Sequence, residues 1–188
     1  TPAQVAALPA STIDSVPTTV LATLTDAQVA SLTTAQLAAL TDAQMAAMAT
    51  AGNLDSLTPA QVAALPASTI DSVPTTVLAT LTDAQVASLT TAQLAALTDA
   101  QMAAMATAGN LDSLTPAQVA ALPASTIDSV PATVLATLTD AQVASLTTAQ
   151  LAALTDAQMA AMATAGNLDS LTPAQVAALP ASTIDSVP

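Results

Sequence analysis

Residues 24–48 read LTDAQVASLTTAQLAALTDAQMAAM: after Leu24, three consecutive eight-residue strings that each open on Thr and carry Gln three residues later. The fifth and eighth positions of each string are apolar, giving the pairs Val29/Leu32, Leu37/Leu40 and Met45/Met48. Three backbone structures compete for such a period. In a strand, positions an odd number apart point to opposite faces, so each pair would be split between core and solvent. In one continuous helix, eight residues advance by about 800°, so the apolar stripe drifts by about 80° per string. Only a separate short helix and turn for each string keeps every pair on one side.

The capping chemistry agrees. Thr-x-x-Gln before an apolar run is the capping box: the Thr hydroxyl accepts from the N3 amide, and the Gln side chain accepts from the N-cap amide. The first 57 residues contain four such boxes, opened by Thr1, Thr25, Thr33 and Thr41. Leu24 before Thr25 and Val29 after it stand at N′ and N4, the hydrophobic-staple positions. Pro2, Asp26 and Asp42 fall at N1, where a missing N–H is harmless and a negative charge meets the positive end of the helix dipole.

Working outward, the string TPAQVAALPASTIDSVP starts at Thr1, Thr58, Thr115 and Thr172, so the unit is 57 residues long. The expected organisation is one continuous solenoid of repeats at 1–57, 58–114 and 115–171 with a partial fourth at 172–188, as in a window on a longer array. The whole copies differ at Ala132, which replaces Thr18 and Thr75 of the earlier ones. Each unit divides into six octads and one nonad, ATAGNLDSL, at residues 49–57 of the first copy. Two octads, PASTIDSV and PTTVLATL, begin with Pro, and both are expected to form tighter turns of 3₁₀ character. In the nonad, Gly52-Asn53 is a helix stop, with Gly suited to a left-handed C′ position. The helix opened by Thr41 is therefore expected to run to about Ala51 and to be the longest in the unit.

Helices this short are marginal alone, since about a dozen residues are needed for stability in water. They must stack on neighbours one coil away, with Ala at the third and sixth positions allowing close approach. The fold class expected is an all-α solenoid of very short capped helical turns with a 57-residue higher-order repeat.

Composition narrows function further. The chain has no Lys, Arg, His, Cys or aromatic residue, and its thirteen acidic residues give a net charge of -13. All thirteen are Asp, so a Ser or Thr nucleophile has no His or Lys to activate it. The usual zinc, haem and iron–sulfur ligands are missing as well. The expectation is a non-enzyme with no catalytic, cofactor-binding or metal-binding residues and no cofactor. Nucleic acid and anionic lipid would both repel such a chain, and no apolar run reaches membrane-spanning length. Yet 53% of residues are hydrophobic and they recur at fixed spacing, unlike a highly charged disordered tract. Met45/Met48 take the place of Val/Leu and are read as core, not as a thioether site. The Asp residues lack calcium-loop spacing and are read as caps and solubilising charge, with calcium a minor alternative. Thr held in caps is not free to form a flat ice-binding array.

The string TPAQVAAL resembles the opening of the repeat in TAL effectors, but the 57-residue unit is longer than theirs and no basic residue is present to grip DNA. The tract LTDAQVASLTTAQLAALTDAQ is similar to the octapeptide arrays L-T-x-x-Q-φ-x-x-L of very large bacterial secreted or surface proteins of adhesin type. That likeness covers four of the seven subunits in each copy, and the Pro octads and the nonad depart from it. It implies an extracellular or cell-surface location and a spacer, stalk or fibre role. The functional expectation is thus a self-associating structural repeat protein, with a binding solenoid that offers one face to a partner as the alternative.

Overall fold

The computed structural model describes residues 1–181; the rest of the fourth PASTIDSV octad, 182–188, lies outside them, and so does the expectation for it. Two compact units are formed, Thr1–Ala96 and Leu97–Pro188, and each is described by itself. Their boundary falls inside the octad 90–97, away from the repeat junctions after residues 57 and 114.

Both units are all-α, and no strand occurs among the described residues. Every Thr-x-x-Gln string forms its capping box, including those at Thr33, Thr41, Thr58 and Thr90 of the first unit and Thr115, Thr147 and Thr155 of the second. The helices that follow are one or two turns long, for example Pro59–Ala63, Asp83–Ser88 and Thr91–Ala95. The helix opened by Thr41 covers Asp42–Thr50 with Ala51 as C-cap, and Gly52 follows at φ +79°. These expectations hold.

The two Pro octads part company. PASTIDSV is 3₁₀ in all three whole copies, at Ala10–Ser15, Ala67–Ser72 and Ala124–Ser129. PTTVLATL is not: it forms α-turns at Thr18–Leu21, Thr75–Ala79 and, as PATVLATL, at Ala132–Leu135. The difference lies at the fourth position. In PASTIDSV this is Thr12, whose amide and hydroxyl both donate to the Pro9 carbonyl, at 3.0 and 2.9 Å. That carbonyl is the acceptor an α-turn needs. In PTTVLATL the fourth residue is Val20, which has no hydroxyl; its amide donates to the Pro17 carbonyl at 2.9 Å and leaves room for the Leu21 amide at 3.2 Å. A further 3₁₀ turn that the helix-stop reading did not foresee follows each Gly, at Asn53–Ser56, Asn110–Ser113 and Asn167–Ser170.

The core is the column of fifth- and eighth-position side chains. Val62/Leu65, Ile70/Val73, Leu94/Leu97 and Met102/Met105 are all buried, the methionines at 0% exposure. Leu54 and Leu57 of the nonad join them. At full burial each such side chain contributes about 1.5–3 kcal/mol.

How the octads wind follows from two sets of neighbours. By packing, elements within a unit lie on the third one further along. Pro2–Ala6 meets Asp26–Val29, Thr18–Leu21 meets Asp42–Thr50, and Pro59–Ala63 meets Asp83–Ser88. The second unit repeats this, with Pro116–Ala121 on Asp140–Ser145 and Ala132–Leu135 on Asp156–Thr164. By hydrogen bonding, a capping Gln that has a coil before it, such as Gln36, Gln61 or Gln93, reaches the C-terminal end of the fourth element before its own, across 28–32 residues. A coil therefore closes after about three and a half elements. Seven elements make two coils, and the 57-residue unit is two coils long.

Candidate functional site

Among the described residues, the strongest constellation of polar side chains is built into the stack itself. Gln93 is 1% exposed. Its Oε1 accepts from the Thr90 amide at 2.7 Å and from the Thr90 hydroxyl at 3.1 Å, closing the capping box. Its Nε2 donates to the Val62 and Leu65 carbonyls, each at 2.8 Å. Those carbonyls lie at the C-terminal end of the helix Pro59–Ala63, where a helix leaves acceptors short of partners, although the Val62 carbonyl also takes the Leu65 amide at 3.1 Å. One amide thus caps its own helix at the N-terminus and an earlier helix at the C-terminus.

The arrangement recurs. Gln36 reaches Val5 and Leu8, Gln44 reaches Ile13 and Val16, and Gln85 reaches Leu57 at 2.9 Å. In the second unit Gln142 reaches Leu111 and Leu114, Gln150 reaches Val119 and Leu122, and Gln158 reaches Ile127 and Val130. Where the nonad has no capping Gln, buried Asn substitutes: Asn53 donates to the Leu21 carbonyl at 3.0 Å and Asn167 to Leu135 at 3.1 Å. No buried side-chain polar atom among the described residues lacks a partner. From the sequence, Gln is legible only as a capping acceptor and Asn53 only as part of a helix stop. The missed signal was the Gln in every box where Glu would serve equally as an acceptor: only an amide carries the donor for the second bond.

The surface offers less. A shallow groove of about 460 Å³ is lined by Thr18, Thr19 and Ala22 on one side and residues from Ala46 to Ala51 on the other. Its counterpart in the second unit, about 470 Å³, is lined by Thr133, Ala136, Ala160, Ala161, Thr164 and Ala165. Methyl groups and hydroxyls make up both, with no titratable side chain. A cavity of about 10 Å³ lies among Leu54, Val62, Ile70, Leu78 and their neighbours in the core, at the lower limit for one water. No group of three or more Asp that could hold a metal ion occurs among the described residues. No helix among them is long and apolar enough to cross a membrane.

Comparison with protein-family models, with curated proteins and with solved structures finds no match.

Proposed function

We propose that this chain is a non-catalytic structural element, a self-associating fibre or stalk. The observation that supports it is the repeated Gln and Asn amide bond from each coil to the one before. The distinctive polar side chains of the sequence are spent on joining coil to coil, and the same joint recurs throughout both units. A protein whose task is length needs that joint made again and again. Placement outside the cell rests on the likeness of the tract LTDAQVASLTTAQLAALTDAQ to secreted octapeptide arrays. Repulsion between a chain of charge -13 and phosphate speaks against a nucleic-acid partner.

The second reading is a binding solenoid, favoured by the recurring Ala/Thr groove. It lacks the aromatic and Arg anchors that concentrate binding energy. Electron microscopy and sedimentation on arrays of three, six and nine units separate the two. The structural reading expects thin particles whose length grows in proportion to unit number, with further end-to-end or lateral association as salt rises. Monomeric compact particles at every length and salt concentration would overturn it and favour the binding solenoid.

A further inference from the structure

The Asp residues obey a period that the octads do not. They stand second in TDAQ strings (Asp26, Asp42), sixth in PASTIDSV (Asp14) and seventh in the nonad (Asp55). Yet in the first unit Asp14, Asp42 and Asp71 follow one another at 28 and 29 residues, and Asp26, Asp55 and Asp83 at 29 and 28. In the second unit Asp99, Asp128 and Asp156 follow at 29 and 28, and Asp112, Asp140 and Asp169 at 28 and 29. That is half the 57-residue unit, one coil.

Packing places successive members on adjoining coils. Gln44 donates to the Asp14 carbonyl at 3.2 Å, and the helix Asp42–Thr50 lies on Ala67–Ser72. Asp26–Val29 lies on Asn53–Ser56, and Gln85 bonds Leu57 just after Asp55. The second unit repeats these relations: Asp99–Thr107 lies on Ala124–Ser129, and Gln158 reaches the Ile127 carbonyl just before Asp128. Gln142 reaches the Leu111 carbonyl just before Asp112, and Asp140–Ser145 lies on Asn167–Ser170. Each unit therefore carries two files of carboxylates, one charge per file per coil. All of these Asp residues are exposed. The sequence contains no Lys, Arg or His to sit between them.

Packed helices lie about 8–10 Å apart. That is close to the screening length of about 10 Å at 0.1 M salt, well inside the roughly 30 Å at 0.01 M and beyond the roughly 3 Å at 1 M. We propose that the two carboxylate files make coil-on-coil stacking dependent on ionic strength, with dissolved cations supplying the counter-charge that the chain lacks. The stack loosens in dilute salt and tightens as salt rises. The effect is diffuse screening along a file, so monovalent salt suffices and no discrete ion site is involved. It is independent of the fibre reading.

The test uses the full chain, thermal melting by circular dichroism, and NaCl from 0.01 to about 0.5 M, a range in which screening shortens from tens of ångströms to a few. Two variants each lose four charges. One removes the middle member of every file within the units (Asp42→Asn, Asp55→Asn, Asp128→Asn, Asp140→Asn). The other removes an outer member (Asp14→Asn, Asp26→Asn, Asp156→Asn, Asp169→Asn). Each set holds two Asp from TDAQ strings, one from PASTIDSV and one from the nonad, so local helix effects match. The middle set abolishes every neighbouring pair within the units, and the outer set leaves half of them. The wild-type Tm is expected to rise with salt, the outer variant to keep about half of that rise, and the middle variant to keep little of it. Equal salt dependence in the two variants would overturn the proposal. So would a wild-type Tm that is flat with salt, or CaCl₂ stabilising more than NaCl at matched ionic strength.

Discussion

Replacing Gln93 by Leu separates the two roles of the capping Gln. The substitution deletes the Thr90 amide bond at 2.7 Å and the two 2.8 Å bonds to the Val62 and Leu65 carbonyls, all at a residue 1% exposed; the Thr90 hydroxyl loses its 3.1 Å bond too, but is exposed and can turn to water. A buried polar group left without its partner costs about 1–3 kcal/mol. The Val62 carbonyl also accepts the Leu65 amide at 3.1 Å, which softens its loss. Three affected groups therefore cost about 3–6 kcal/mol, offset by about 1.5–3 kcal/mol for burying Leu. The net destabilisation spans about 0–4.5 kcal/mol and centres near 2 kcal/mol, a fall in Tm of roughly 4–8 °C for a chain of this size. Gln4→Leu is the matched control. Gln4 forms the same box with Thr1, but it is exposed. Its loss is expected to cost no more than a cap, about 1 kcal/mol or less. Chemical denaturation followed by circular dichroism measures both. Equal costs for Gln4→Leu and Gln93→Leu would refute the reasoning, because the bond to the earlier coil would then contribute nothing.

Three further outcomes are expected. Gln93→Glu keeps the capping acceptor but turns an oxygen toward the Val62 and Leu65 carbonyls. Burial and those carbonyls favour the protonated acid, so its folded pKa lies above the unfolded value of about 4.3. The penalty relative to wild type is smallest below that value and grows as pH rises through the folded pKa; denaturation at pH 3.5 and 7 checks it, and a pH-independent difference would contradict it. Gly52→Ala places Cβ in open space but at φ +79°, so only backbone strain of about 1–2 kcal/mol is expected, and an unchanged melt would mean the left-handed turn is not formed. Replacing Thr33, Thr90 and Thr147 together by Ala should cost about 1 kcal/mol per cap, read from the same melts.

The sequence carried the octads, the caps, the fifth- and eighth-position core and the Gly stop, because each rests on residues within eight or nine positions of one another. It did not carry the coil. The length of a coil depends on which earlier carbonyls the amide of Gln36 or Gln93 meets, and Val5 and Val62 lie 31 residues before them. The choice of Gln over Glu signals a second bond, but nothing local says which earlier carbonyl takes it. The split between PASTIDSV and PTTVLATL was local but depended on one hydroxyl, that of Thr12, competing for the Pro9 carbonyl. Asn53 looked like a turn residue because its long-range bond to Leu21 has no signature in the nonad itself.

Coil-on-coil stacking at half the 57-residue unit is the central claim, and cross-linking tests it most directly. The Thr80 hydroxyl donates to Asp55 Oδ1 at 3.3 Å, although the residues are 25 apart in sequence. The chain has no native Cys, so the double variant Thr80→Cys/Asp55→Cys contains only the two introduced thiols. A short bifunctional thiol reagent, followed by peptide mass analysis, reads their proximity in the folded chain. The stack predicts rapid intrachain coupling of this pair and little in the control Thr80→Cys/Asp26→Cys, which is one coil further apart. Comparable coupling in both pairs, or coupling in neither until the chain is unfolded, would contradict it.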